Sequence, residues 1–334
     1  MKIHMSDQSP LWISEADVVS LMSLGDAINA LERGLLAEAR GDAQNMVKTH
    51  VTWGKGSTLH AIGAVFAEDG FVGTKTWAHT EGGATPLLIL FDSGDGSLKA
   101  IIEAFALGQM RTGAATGVAT RRLALEGADE LAIIGAGKQA AAQIAAVVAV
   151  RPIRRIRVFG RNEERRSRVV AWARREFGVE IVAAGSIAEA VADAPIITVV
   201  TRATEPILFA DMVSRGAHIN AVGAITPERA EISRDTLERC DQVVVDTIPS
   251  AQNLSRELIE YYGDAASGWA RVKSLASVVA AGLPRDASDD LTLFKSLGMG
   301  ISDLALGIEI YHRATQNGLG RDFAHPQKAA PRLR

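Results

Sequence analysis

The chain has one cysteine, Cys240, so no disulfide can form within it, and its composition is that of a reducing compartment. Nothing around Cys240 marks it as a nucleophile. Neither sign of charge dominates: 36 Lys and Arg stand against 39 Asp and Glu, a net charge of −3. That leaves no basic field for nucleic acid. No apolar run reaches the ~20 residues that a membrane span needs, because Gly, Arg or Asp interrupts each one. The amino terminus carries Lys2 and Asp7 and no apolar stretch, so no signal peptide is expected. Internal repeats and low-complexity segments are absent, and no residue pattern points to a metal. The expectation is a cytoplasmic globular chain whose 334 residues make room for two domains.

What is present is concentrated at residues 131–150. Leu131-Ala132-Ile133-Ile134 runs into Gly135-Ala136-Gly137-Lys138-Gln139-Ala140, and an Ala-rich, helix-favouring run continues to Val150. A buried strand, a tight glycine turn and a helix start, in that order, form a dinucleotide-binding fingerprint. Gly135 permits the turn, Gly137 lets a pyrophosphate approach the backbone, and Ala140 lets the helix pack closely on the strand. The helix start supplies free N–H groups and the positive end of its dipole. The same motif also occurs as a plain βα turn, so its surroundings carry the argument.

Those surroundings alternate strand and helix. Apolar runs predict strands at 131–134, 155–159, 179–183, 196–200, 217–222 and 242–245, with helices between most of them, including 163–177 and 187–192. Strands spaced in this way imply a parallel sheet with right-handed crossovers. Outside this block the pattern changes. Residues 14–40 read as helical, with Ser14 and Asp17 as a capping box and Gly41 as a stop. Glycine-punctuated strands follow from Val47 to Phe91, and a hairpin pairs 87–91 with 98–102 through Asp92-Ser93-Gly94-Asp95-Gly96. Helical spacing resumes over 104–125 and again over 301–314. The basic, Pro-containing last dozen residues read as a loosely held tail.

The second strand of the block ends Val158-Phe159-Gly160-Arg161-Asn162, with no carboxylate at its tip. NAD-selective sites place an acidic residue there for the ribose 2′-OH. Arg161 can instead pair with a 2′-phosphate, and Gly160 leaves room for it. Gly160, Arg161 and Asn162 are thus candidate cofactor residues and NADP is preferred, while the nearby Glu163 and Glu164 keep NAD open.

A series of pieces occurs in order along the chain: Lys48-Thr49-His50, Gly73-Thr74-Lys75, Leu88-Ile89-Leu90-Phe91-Asp92, Met110-Arg111-Thr112-Gly113-Ala114-Ala115, Ile134-Gly135-Ala136-Gly137, Asn220-Ala221-Val222-Gly223, Val243-Val244-Val245-Asp246 and Phe294-Lys295-Ser296-Leu297-Gly298. Together they resemble the ornithine cyclodeaminase/μ-crystallin family over nearly the whole length. The resemblance implies a Rossmann-type, doubly wound parallel sheet at 123–298. It implies a second α+β domain for substrate binding and dimerisation, built from both chain ends, 1–122 with 299–334. It places the substrate groups on Lys48, Lys75 and Arg111, with the last two catalytic. It places the nicotinamide and its phosphates near Thr112, Lys138, Gln139, Thr201, Ala221, Val222 and Ser296. Leu297, with Trp53, Trp77 and His79, is a candidate for the substrate wall.

Three converging cations suit a small substrate bearing a carboxylate. Arg111 can clamp that carboxylate, and Lys75 can polarise or protonate the reacting centre, with its pKa depressed by burial beside other cations. Lys48 stands where many members carry Arg, so a bidentate fork becomes a point charge. Two further departures matter. Cyclodeaminases of the family carry a carboxylate just after the Val-Gly turn, where this chain has Ile225, and a Glu where this chain has His60. Without them a distal amine has no base. The expected activity is therefore hydride transfer between nicotinamide and an α-imino or cyclic-imine carboxylic acid, such as 1-pyrroline-2-carboxylate or 1-piperideine-2-carboxylate, or the related amino-acid dehydrogenation. Ornithine cyclodeamination and a μ-crystallin-like ligand carrier are the alternatives.

Overall fold

The computed structural model describes residues 9–263 and 266–334; Lys2 and Asp7 lie outside the described residues. Near the amino terminus, two serines start two helices. Ser14 caps Glu15–Leu21 and Ser23 caps Leu24–Arg40, each closed by a reciprocal capping box, to Asp17 and Asp26. The second helix stops at Gly41 in the left-handed region, as its sequence predicts.

The glycine-punctuated segment forms most of a nine-stranded sheet. Its strands are β1 (Leu11–Ile13), β2 (Ala43–Asn45), β3 (Thr49–Trp53), β4 (Ser57–Phe66), β5 (Phe71–Thr80), β6 (Gly83–Ala84), β7 (Leu87–Asp92) and β8 (Leu98–Glu103). The hairpin of β7 and β8 pairs as expected, Leu87 opposite Glu103. Asp92 Oδ1 accepts from the Gly94 N–H at 2.8 Å and tightens its turn.

The Rossmann-type sheet holds β9 (Glu130–Ile134), β10 (Arg155–Phe159), β11 (Glu180–Ala183), β12 (Ile196–Val199), β13 (His218–Ala221), β14 (Cys240–Val245), β15 (Val272–Ser274) and β16 (Leu291–Lys295). All pair in parallel, in the order β11-β10-β9-β12-β13-β16-β14-β15. Six of these strands fall on the predicted apolar runs. β15 and β16 do not, and β16 is a correction of substance: it inserts between β13 and β14 and carries Lys295 to the edge of the site. Cys240 is buried, and burial pushes its thiol up to about 12, which keeps it inert.

Residues 321 and 322 return as β17 (Arg321–Asp322), which pairs with β1 and ties part of the carboxy-terminal segment to the first sheet. Helix Gly300–Asn317 packs across β4, β5 and β7 and against the helices Leu24–Arg40 and Phe105–Leu123. Ile28, Leu31, Leu35, Leu88, Leu107 and Leu304 make the centre of that core. The opposite face of the sheet is uncovered in the single chain, with Val51, Trp53, Leu59 and Val65 exposed. The fold is thus a doubly wound parallel α/β unit joined to an α+β unit drawn from both ends of the chain.

Candidate active site

The two halves of the parallel sheet diverge between β9 and β12, and a crevice opens there beyond the carboxyl ends of the strands. It is a cavity of about 1130 Å³. Gly135 turns the chain out of β9 with φ at 125°, and a Cβ there would stand 2.4 Å from the Val200 carbonyl oxygen, so only glycine fits. Gly137 faces open space, and helix Ala140–Val148 begins directly behind the turn. Among the described residues the walls carry Arg111, Lys138, Arg161, Arg165, Arg202 and Arg229 and no Asp or Glu. A cradle of glycines before a helix start, with cations for its charged wall residues, fits the diphosphate of a dinucleotide.

At one end of this cavity Arg111, on helix Phe105–Leu123, leads to a buried charge cluster. The Lys75 ammonium on β5 pairs with the Asp303 carboxylate on helix Gly300–Asn317, both almost fully shielded. Arg111 Nε lies 3.6 Å from the same Asp303 oxygen. Burial pulls Lys75 down to about 8; Arg111 and Lys48 push the same way, and Asp303 resists. Lys48 is also lowered, by burial and then by Arg111. Lys75 Nζ stands 5.2 Å from the centre of the Trp77 ring, which stacks on His60 at 4.7 Å. His60 is itself held by Thr58 Oγ1 at 2.8 Å from Nε2, and burial with Lys48 nearby drops it to about 4, so it is neutral at pH 7.

Most of the anticipated residues come together. Thr112, Gly135, Gly137, Lys138, Gln139, Gly160, Arg161, Asn162, Thr201, Val222, Ser296 and Leu297 line the cavity with Arg111. Ala221 does not: it is the last residue of β13 and fully buried, and Val222 and Gly223 form the wall in its place. Lys48 and Lys75 lie outside that wall, grouped with Arg111 around Asp303. The Asn162 side chain is engaged in capping helix Glu163–Glu176, accepting from the Arg165 N–H at 2.8 Å. Trp53 lies on the other face of its sheet from Lys75, since it pairs with Ser57 whereas Lys75 pairs with Ile62. Trp77 and His79 share the Lys75 face. Sequence reasoning missed two carboxylates, Asp303 and the role of Asp246. Asp246 is fully buried and accepts from the N–H groups of Leu297, at 2.6 Å, and Gly298, which fixes the loop carrying Ser296 and Leu297.

A Rossmann crevice that ends on a buried Lys–Asp–Arg cluster belongs to a dinucleotide-dependent oxidoreductase. The chain is a member of the ornithine cyclodeaminase/mu-crystallin family, whose model matches residues 9–318. It is 31% identical over 270 residues to a Delta(1)-pyrroline-2-carboxylate reductase of Bacillus cereus, covering 78% of this chain and 80% of that one. The Thermococcus litoralis Delta(1)-pyrroline-2-carboxylate reductase, solved with NADH and L-proline, superposes with a TM-score of 0.87 at 28% identity, covering 94% of this chain and 100% of that one. An archaeal alanine dehydrogenase dimer with bound NAD gives a TM-score of 0.87 at 26% identity, covering 95% and 99%.

Proposed function

We propose that the chain is an NAD(P)H-dependent reductase of α-imino carboxylic acids, cyclic or open-chain, that uses NADPH in preference to NADH. The observation that carries this reading is the buried Lys75–Asp303 pair beside Arg111, at the end of a cavity with cations for its charged wall residues. Reduced nicotinamide bound in that cavity supplies the hydride for the imine carbon. Arg111 pairs with the substrate carboxylate and sets its orientation. Lys75, as the ammonium, donates a proton to the imine nitrogen, so that the product is the amine. Asp303 keeps Lys75 charged and aimed. Leu297 and Trp77 narrow the access of water. Arg161, free of any ion pair among the described residues, favours a 2′-phosphate.

Ile225 lines the cavity where a cyclodeaminase needs a carboxylate, so ammonia loss from a diamino acid lacks its base. A ligand carrier has no use for a proton donor held by a buried carboxylate. One assay separates the readings. Purified chain is mixed with reduced cofactor and 1-pyrroline-2-carboxylate, 1-piperideine-2-carboxylate, or pyruvate with ammonia, and with ornithine alone. Cofactor oxidation with the imines supports the reductase. Ammonia release from ornithine without cofactor consumption overturns it in favour of a cyclodeaminase, and ligand binding with neither supports a carrier.

We further read residues 1–122 with 299–334 as the substrate and dimerisation domain and 123–298 as the cofactor domain, working as a homodimer in the cytoplasm. The free Cys240 supports the compartment. The exposed apolar residues Val51, Trp53, Leu59 and Val65 support the assembly, because an uncovered sheet face of this kind is suited to pairing with a second copy. Sedimentation at micromolar concentration tests it, and a monomer would contradict it.

A further inference from the structure

Two neighbouring strands of the parallel sheet end on one buried carboxylate, and a third reaches it through a second carboxylate. Glu231 is fully shielded from solvent. Its Oε1 accepts from the Thr201 N–H at 2.5 Å and from the Thr201 hydroxyl at 2.8 Å, just beyond β12. Its Oε2 accepts from the N–H groups of Gly223 and Ala224 at 2.8 and 3.0 Å, just beyond β13. Behind it, Glu257 Oε1 accepts from the N–H groups of Glu231 and Ile232 at 2.6 and 3.1 Å. The other Glu257 oxygen lies 2.7 Å from Nζ of Lys295, the last residue of β16. One carboxylate thus takes four donors from two loops, and a second carboxylate anchors its backbone to the third strand.

The sheet order says what these loops face. Arg161 follows β10 on one side of β9, and the phosphate turn follows β9 itself. Thr201, Gly223 and Ser296 follow β12, β13 and β16 on the other side, toward Arg111, and all three line the cavity. If the cavity holds a dinucleotide along this path, its nicotinamide half lies over the loops that Glu231 joins.

We infer that Glu231 is a positioning residue for the nicotinamide half of the cofactor: it clips the loops after β12 and β13 together and so sets the depth and angle of the floor on which the ring rests. The inference rests on the dinucleotide reading of the cavity, and its test needs no turnover. Glu231→Gln keeps the volume but turns a donor toward backbone N–H groups, so one loop loses its acceptor. Equilibrium titrations of NADPH and of ADP-ribose, which keeps the diphosphate but has no nicotinamide and no 2′-phosphate, are compared in the full chain, each ligand against its own wild-type Kd. The expected result is a Kd for NADPH raised roughly 10–100-fold, the scale of losing a hydrogen bond to a charged group, with the Kd for ADP-ribose unchanged. Equal weakening of both ligands, or of neither, overturns the inference, since a merely structural role would not separate them. Should the Gln variant fail to fold, Glu231→Asp, which keeps the charge at shorter reach, is read by the same ratio. A wild-type chain that binds neither ligand overturns the reading of the cavity itself.

Discussion

The Lys75 ammonium and the Asp303 carboxylate form an ion pair across 228 residues of sequence, and both groups are almost wholly out of solvent. The pair sets the balance between the charged and neutral forms of Lys75. Burial and the cations of Arg111 and Lys48 drive Lys75 toward the neutral amine, and Asp303 opposes all three.

Imine reduction should therefore depend on pH through Lys75. On the proposed reading the ammonium is the donor, so kcat/KM should be full well below pH 8 and fall as pH rises through about 8, the value to which burial brings Lys75. Asp303→Asn removes the anion that holds the proton on and should move that fall to lower pH. Lys75→Ala should lower kcat by about 10²–10⁴-fold. The measurement is a pH–rate profile of the three proteins with one imine substrate. A fall at the same pH in Asp303→Asn would separate Asp303 from the proton transfer.

On the same reading Arg111 holds the other end of the substrate. Its guanidinium lines the cavity while its Nε turns back toward Asp303, 3.6 Å away. Arg111→Ala should act mainly on KM, because removing one partner of a shielded pair strands the substrate carboxylate, at a cost of about 2–5 kcal/mol. Arg111→Lys should recover only part of this, since the fork becomes a point charge. Steady-state kinetics decide it: a loss confined to kcat would assign Arg111 to the chemical step.

β9 and β12 were legible because strands buried on both faces read as near-continuous apolar runs, and β10 and β11 because apolar residues alternate with exposed ones between turn signals. β16 was not, although it is fully buried too. Its five residues run straight on into the glycine loop and final helix, and its place between β13 and β14 is set by pairing with strands far away in sequence. The cations of the site were legible through their surrounding pieces, and their burial was not. Asp303 sits in the first turn of a helix, where an acidic residue is ordinary, so nothing local marks its ion pair to β5. The misplacement of Trp53 was avoidable in principle, since strand parity against Lys75 follows once the β3–β4 register is known.

Cofactor choice should follow Arg161. It lies in the cavity wall after β10, in the position where an acidic residue would select NAD. NADPH should have the lower KM in the unmodified chain, and Arg161→Ala should weaken NADPH while leaving NADH nearly unchanged, erasing the preference. Equal KM values for the two cofactors before mutation would remove Arg161 from this role.

Asp303 reaches Lys75 through the close seating of its helix on β4. Helix Gly300–Asn317 starts in direct contact with β4: a Cβ on Gly300 would stand 1.7 Å from the Gly63 carbonyl oxygen, a backbone atom that cannot turn aside. Gly300→Ala must therefore lift the first turn of the helix, and Asp303 lies in that turn. Overpacking of this kind typically costs about 1–3 kcal/mol, which should appear as a lower urea midpoint. The displacement should also lengthen the Lys75–Asp303 contact, so the variant should show the pH–rate fall shifted to lower pH, in the same direction as Asp303→Asn and to a smaller extent. A destabilised variant with an unshifted profile would mean that the helix start and the proton donor are not coupled. The comparison is made at a temperature where both proteins are fully folded, so that the profile reports the site and not the folded fraction.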